Sequence, residues 1–591
     1  MKLTRSLRDI VEADVLPHVA YYYGRFAEER DRLVIDGVPI LNGTDLFVAG
    51  PVLTTGAYLL CRLGEGSPER EKAIATYREL AELLSYTRIE TWGIQGALSA
   101  LHRLQRHGLL NSAVAPETLA RYRAKLDWRT FVNAEDLTLI GLPTNYYGVA
   151  IGISAYREKL GWDEPGMSGV FMEKLLAHVD RFSGQFGFMD DSKGEGKYDL
   201  YSVNAPFEVY GKLVAAGLPV PDRVLEMVRR SLDIYLQLSN TKGHGFSYGR
   251  SIGVYGDFIG ALAVAAANGL LSDEEMTIAY AYNVASAEKM VRFWIDPETR
   301  SFNLWDKGRR TDGYRNKQRI LEVNLGVALS LATALEQWSL AGFGESPPAE
   351  DIDARLDALP RTRYFPFEQG EYERGLAIVR DGAHVFSLPI VNGATNAYSA
   401  PPYLPIPNEH QVLETVPHNV GYPHLVPRLT FADGSEVMPI AYAKRIAPDA
   451  APSADGEWTL VYEQDAGCLL GDVPPRAYAG LRSRSTYRFR PGVWERTDVF
   501  ESAADTPVEA AWIEFATFSE APVVDGCKVR FGAGPILEIE AVGYDRCETR
   551  TVENEREYHT SHGPSKTHVT WTVAPGKAAK RLELGWRLTY R

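Results

Sequence analysis

Residues 243–257 place Gly243, His244, Gly245, Phe246, Ser247, Tyr248, Gly249, Arg250, Ser251, Tyr255, Gly256 and Asp257 in one short stretch. The residue types point to proton and anion chemistry. A guanidinium grips a carboxylate through two parallel hydrogen bonds. A phenol titrates near ~10 and works as a base near neutrality only beside a cation that favours its ionised form. Arg250, two residues after Tyr248, is such a cation, and His244 is a second group able to carry a proton. Glycines at this density do not suit a helix interior, where each costs up to ~1 kcal/mol relative to Ala. The stretch is therefore read as a loop between helices, the kind of segment on which chemistry concentrates. The plain alternative is a tight turn whose polar groups cap the next helix.

Three further stretches carry similar residues. Pro143-Thr144-Asn145-Tyr146-Tyr147-Gly148 stands ahead of a helical pattern, and its Asn145 is either a carboxylate-binding amide or an N-cap. Residues 186–204 bring Asp190, Asp191, Tyr198, Asp199, Tyr201 and Asn204, with the tyrosines read either as proton-transfer groups or as core fillers. Residues 305–319, including Lys307, Arg309, Arg310, Tyr314 and Arg319, form a basic island in an acidic chain. Such a run is a solvated face in most proteins, but here it can focus an anionic ligand. Trp92, Tyr146, Asn204, Arg309, Arg310 and Tyr314 are the expected substrate contacts. His410, His418 and His424 lie near Glu409 at irregular spacing, a weak metal pattern. Segment 401–427 is instead expected to be a packing loop laid over the mouth of the helical half, the α/α toroid argued next, and no cofactor is expected.

The elements that must hold these loops fall into two halves. Up to about residue 340 the apolar residues recur at three- and four-residue spacing, over 52–63, 73–84, 94–104, 149–160, 171–182, 203–216, 224–238, 258–267, 276–293 and 320–338. With an N-terminal segment and one near 116–124, this predicts roughly a dozen helices in stacked hairpins. Residues 341–363 read as a linker. Beyond them the period changes to two, as in Trp458-Thr-Leu-Val-Tyr, Leu537-Glu-Ile-Glu-Ala-Val and Leu582-Glu-Leu-Gly-Trp. The predicted architecture is an α/α toroid of helical hairpins (an incomplete barrel) over 1–340 and an antiparallel β-sandwich over 364–591.

Composition narrows the function classes. A chain of 591 residues has room for several domains. Its net charge of −14 argues against nucleic-acid binding, which needs clustered cations. The 31 tyrosines and 11 tryptophans would suit the flat faces of sugar rings as well as a large core. Cys61, Cys468, Cys527 and Cys547 match no zinc or redox spacing. No apolar run is long enough for a membrane span, and nothing near Met1 reads as a signal peptide, so a cytoplasmic location is expected.

Helical hairpins followed by a β-sandwich resemble the toroid polysaccharide lyases, the chondroitin AC, hyaluronate, alginate and heparinase II/III-like group. The 143–148 stretch resembles their Asn-bearing helix start, with Tyr146 where a His or Trp often stands. Residues 186–204 are similar to the loop that carries their catalytic Tyr, but Asp199 replaces an expected His. Gly245-Phe-Ser-Tyr-Gly-Arg-Ser251 resembles a Tyr-Gly-Arg-Ser signature of bacterial toroid proteins. The likeness runs over about 145–329. It implies β-elimination on a uronic acid; the expected lack of a secretion signal points to imported oligosaccharides attacked from a chain end. Tyr248 would be base and acid, with Tyr198 and Tyr201 as competitors. Asn145 and Arg250 would sit on the carboxylate, with His244 as partner. Asp199 favours the alternative, an α/α-barrel glycoside hydrolase using a carboxyl pair ~5–5.5 or ~6.5–9.5 Å apart drawn from Asp190, Asp191, Asp199, Glu208 and Asp257. A non-catalytic glycan-binding protein is the third reading.

Overall fold

The computed structural model describes residues 3–307, 317–391, 403–414, 424–470, 476–502, 507–560, 562–574 and 580–591. Six helices form the inner wall of the first half: Ala49–Cys61, Thr91–Arg106, Tyr146–Lys159, Leu200–Ala216, Ile259–Ala267 and Ala328–Leu340. Each packs on the next in that order, and the π-helical Val323–Val327 that leads into the last packs back on Ala49–Cys61. Inner helices touch protein on every side, so their sequences are apolar or small almost all round. Tyr146–Lys159 buries every residue from Gly148 to Arg157. Arg157 is tolerated there because Asp163 takes its guanidinium at 2.7 and 2.8 Å and the carbonyls of Arg123 and Leu126 accept its remaining N–H groups.

Outer helices Pro68–Ser85, Met167–Phe182, Asp222–Leu238 and Asp273–Lys289 back the inner ones. The expected helices are present, with ends shifted by a few residues. The pattern over 203–216 starts earlier, at Leu200, because Asp199 caps it. The 276–293 pattern is Asp273–Lys289 running on as the π-helical Met290–Trp294.

The second half is antiparallel. A seven-stranded sheet and an eight-stranded sheet contribute to one core, in which Trp458, Trp494, Trp571 and Trp586 are buried. Alternation along Leu481–Arg490 is complete on the inward side, with Leu481, Ser483, Ser485, Tyr487 and Phe489 buried. Between the halves lies a three-stranded sheet, Thr362–Glu368, Arg374–Asp381 and His384–Ile390. Its central strand is apolar on both faces. Leu376 and Ile378 join the toroid core, whereas Ala377 and Val379 join the sandwich core. The segment expected as a linker holds a short helix, Ile352–Asp357, and its end starts this shared sheet. All four cysteines are free thiols. Among the described residues, no helix is long and apolar enough to cross a membrane.

Candidate active site

All six inner helices run the same way, and their N-terminal ends surround a cleft of about 660 Å³ in the toroid mouth. Trp92, Asn145, Tyr146, Tyr201, Asn204 and Arg250 line it, together with Glu208, Tyr255, Asp257, Arg319 and Glu322. Helix N-termini turn N–H groups and the positive ends of their dipoles toward this space, which favours an anion.

Asn145 occupies the N-cap position of Tyr146–Lys159 but makes no capping bond. Its backbone is already helical there (φ −57°, ψ −20°), which leaves the side chain no capping geometry. Asn145 is 6 % exposed, and its Oδ1 has no hydrogen-bond partner among the described residues. A buried amide oxygen without a partner costs roughly 1–3 kcal/mol, a cost that fits a group held for a ligand.

The 186–204 segment is built around two buried carboxylates. Asp190 accepts N–H bonds from Ser192 at 2.9 Å and from Gly196 and Lys197 at 3.1 Å, which folds the turn. Asp199 caps Leu200–Ala216, accepting from Tyr201 N–H at 2.8 Å, and also takes the Tyr403 hydroxyl. Burial pushes the Asp199 carboxyl up to about 6 against the lowering effect of those bonds. The cap places Tyr201 in the first turn, at the cleft. Arg250 lies over the Tyr201 ring, 4.4 Å from its centroid. The Arg250 guanidinium is ion-paired to Asp191 and lies 3.6 Å from Asp199. Gly249 makes this close approach feasible. Its φ is +84°, and a Cβ there would stand 2.7 Å from Asp199 Cβ.

Cleft carboxylates form a second group. Tyr235 donates to Asn204 Oδ1 at 3.0 Å, which fixes the amide so that Nδ2 donates to Glu208 at 3.2 Å. Lys212 Nζ lies 3.4 Å from Glu208 and 5.2 Å from the Trp92 ring centroid. Across the mouth, Arg319 Nε donates to Glu322 at 2.6 Å and the Tyr255 hydroxyl reaches the same carboxylate at 3.5 Å. Burial pushes the Asp257 carboxyl up to about 6. Two non-glycine residues beside the cleft sit at positive φ, Thr91 (35°) before Trp92 and Ser251 (55°) after Arg250. Backbone strain of this kind costs about 1–3 kcal/mol and persists where surrounding structure imposes it.

The cleft thus gathers Asn145, Tyr201 and Arg250 with Trp92, Tyr146 and Asn204. Four other expected site residues stand behind it. Tyr248 is fully buried, and burial, with the Asp199 charge adding, holds its phenol well above the ordinary range. Tyr198 is fully buried too, stacked on Phe367 with centroids 5.1 Å apart. Asp199 is a cap rather than a cleft wall. His244 packs among other histidines at the seam with the sandwich. Arg309, Arg310 and Tyr314 lie outside the described residues. Glu322 was not anticipated, and Tyr255 stood in the 243–257 stretch without a role of its own. Arg319 stood in the basic island, but only its position at a helix start separates it from its neighbours there.

No family model and no curated protein matches the sequence. Solved structures do. The chondroitin AC lyase of Streptomyces coelicolor A3, in complex with chondroitin sulphate, superposes with a TM-score of 0.51 at 14% identity, over 97% of this chain and 79% of that one. A tyrosine-to-alanine variant of that lyase gives 0.51 at 13% identity over the same shares. At this identity the likeness speaks to architecture, and in architecture this chain is an α/α toroid joined to an antiparallel β-sandwich, as in chondroitin AC lyase.

Proposed function

We propose that the chain is a carbon–oxygen lyase that cleaves uronate-containing oligosaccharides by β-elimination, with Tyr201 as base and acid. The observation that carries this reading is the convergence of Tyr201, Arg250 and the Asn145 amide, whose Oδ1 has no partner among the described residues, on one cleft ringed by helix N-termini. The C5 proton of a uronate becomes acidic once the adjacent carboxylate is neutralised. The Asn145 Nδ2 donor and the helix N-termini supply that, with Arg250 at the edge, while the Asn145 Oδ1 is left to accept from a sugar hydroxyl. Tyr201 takes the C5 proton, the C–H pair becomes the C4–C5 double bond, and the C4–O4 bond breaks. The leaving oxygen then receives the proton from the Tyr201 hydroxyl. Tyr201 replaces Tyr248 in this role, because Tyr248 faces the protein interior. The solved neighbour's complex with chondroitin sulphate supports an acidic glycan as substrate. Attack from a chain end belongs to the same proposal, and the size distribution of early products tests it.

Incubation with uronate oligosaccharides should produce ultraviolet absorbance from an unsaturated product, together with new reducing ends. Reducing ends without absorbance would replace this reading with the hydrolase. One observation favours that second reading: Glu208, Asp257 and Glu322 line the same cleft, and Asp257 holds its proton to about pH 6, as a general acid must.

A further inference from the structure

The histidines at the seam between the halves form a closed cluster. His410 Nδ1 and His562 Nδ1 lie 3.6 and 3.4 Å from the Glu414 carboxylate, and Lys289 Nζ stands 2.5 Å from His562 Nε2, so that acid already has its cation. The metal pattern read in the sequence does not come together, because His424 is buried against Phe515. His418 lies outside the described residues. Charge is left open elsewhere, on the outer face of the eight-stranded sheet. A trough of about 630 Å³ lies there, and Lys444, Arg445, Arg482, Arg484 and Arg581 line it against three carboxylates, Glu463, Asp465 and Glu501. In a chain of net charge −14 this is a local excess of cations.

The sheet builds this trough in two ways. Along Leu481–Arg490 one face is buried and the other carries Arg482, Arg484 and Arg488, where alternate residues stand about 6.8 Å apart. The guanidinium groups of Arg482 and Arg488 have no partner among the described residues. Ala443–Pro448 is an edge strand, and its pairing with Trp458–Gln464 slips between Lys444 and Ala447. Arg445 takes φ +52° in that bulge. Successive residues of a regular strand face opposite ways, but here Lys444 and Arg445 both line the trough. Charges on an edge strand also keep it from pairing with another chain. Arg482 and Arg484 stand two strands in from that edge, where no such protection is needed.

We propose that this face is a second, non-catalytic binding site for an acidic glycan chain, with Arg445, Arg482 and Arg484 as its anion contacts. It rests on the reading of the substrate as an acidic glycan and not on the lyase chemistry. Arg445 and Arg484 share one carboxylate, Glu463, at 2.6 and 3.8 Å, and Arg581 lies 3.3 Å from Glu501. Exposed pairs of this kind contribute little, so a ligand carboxylate or sulfate can take the guanidinium groups bidentately. The protein carboxylates between them then accept from sugar hydroxyls. Strand register interleaves the two: Arg484 stands opposite Glu463, Arg482 opposite Glu501 and Arg488 opposite Glu495. This pattern suits a glycan in which charged and neutral sugars alternate, and it opposes the unbroken phosphates of a nucleic acid. A long chain held on this face offers its end to the cleft at a raised effective concentration.

The test uses the full chain, with Tyr201→Phe to suppress cleavage, and chondroitin sulphate as the probe. A long chondroitin sulphate chain should bind about tenfold more tightly than its tetrasaccharide, and the advantage should fade as salt is raised. Arg482→Ser combined with Arg484→Ser should remove that advantage and leave tetrasaccharide binding within about twofold. The thermal midpoint should not move, because both side chains are exposed. With Tyr201 intact, the same pair of substitutions should raise KM for long chains about tenfold at unchanged kcat. Should the double variant lose its fold by circular dichroism, Arg482→Ser alone, expected to cost about threefold, takes its place. Long chains that bind no better than the tetrasaccharide, or that bind the variant as well as the native face, overturn the proposal. So does tighter binding of oligothymidylate at the same salt, which would make the face a nucleic-acid site. A long-chain advantage that the variant loses, with no ultraviolet-absorbing product from any glycan, would overturn the lyase reading alone.

Discussion

The toroid has two mouths of nearly equal size, about 660 Å³ at the N-terminal ends of the inner helices and about 670 Å³ at their C-terminal ends. Volume does not tell them apart, but chemistry does. The upper mouth is lined by loops carrying tyrosines, an amide oxygen without a partner among the described residues and buried carboxylates, with strained backbone at Thr91 and Ser251. The sandwich braces those loops from behind, through Tyr403 on Asp199, Asn408 accepting from Ser247, and His410 on Gly245. The lower mouth is lined by helix sides and surface residues, Tyr58, Arg103, Arg106, His107, Val214 and Glu336 among them. Carbonyl ends and negative dipole ends face it, and its arginines lie where such ends favour cations. A cavity thus becomes a candidate site through what its walls leave unsatisfied.

Substitutions at the two mouths put a measure on that difference. The largest effect belongs to Tyr201→Phe, which should lower kcat/KM by about 10³-fold, the middle of the range for general acid–base groups. The thermal midpoint should barely move, because the phenyl ring remains under Arg250. Loss of tenfold or less would pass the base role to Tyr146 or Tyr255. Next comes Asn145→Ala, expected to cost about 10²-fold in kcat/KM, as for a removed charge-stabilising donor. This variant also separates ligand binding from capping. A working N-cap removed costs about 1 kcal/mol, whereas Asn145 caps nothing and holds a buried oxygen without a partner, so its removal should leave stability unchanged or raise it by calorimetry.

Asp257→Asn is smaller and bears on the competing chemistry. The folded protein holds the Asp257 proton up to about pH 6, above its unfolded value of 3.8. The group therefore favours the folded state at low pH, and that contribution is lost as pH rises through this window. The amide should flatten that part of the stability curve and raise the midpoint at pH 7 by on the order of 2 °C. Elimination should fall less than tenfold. A loss of 10³-fold with Asp257→Asn would make this carboxyl the general acid of a hydrolase.

Much of this was legible in the residues, and the failures have physical causes. Helical and alternating patterns report which face of an element is buried, so the toroid and sandwich were readable. So was the order of the loops bearing Asn145, Tyr201 and Arg250. Which tyrosine of a loop meets the cleft was not. An extended chain would put Tyr248 and Arg250 on one side, but Gly249 at φ +84° breaks the alternation and sends the phenol inward. Tyr198 lies three residues before Tyr201, yet it is claimed by Phe367 from the shared sheet. His244 meets His410 and His562 only because the two cores close on each other. Contacts between residues so far apart leave no periodic trace.

The smallest expected effect is at the lower mouth, and there the comparison is most exposed. Arg103 donates to Glu336 at 2.5 Å and lies 4.9 Å from the centroid of Tyr58, so it resembles a binding residue as much as Arg250 does. It differs in setting. The Arg103 and Glu336 side chains are 27 and 37 % exposed, whereas the partners of Arg250, Asp191 and Asp199, are 3 and 0 % exposed. Exposed pairs contribute about 0–1 kcal/mol and are screened by salt. Arg103→Ala should therefore change kcat/KM by less than twofold and stability by less than about 1 kcal/mol, with the stability loss vanishing as salt is raised. The same substitution at Arg250 leaves two buried carboxylates without their cation and should cost several times more, at any salt concentration. Equal losses at the two arginines, measured by denaturant titration at low and high salt, would mean that the upper mouth is no more built than the lower one.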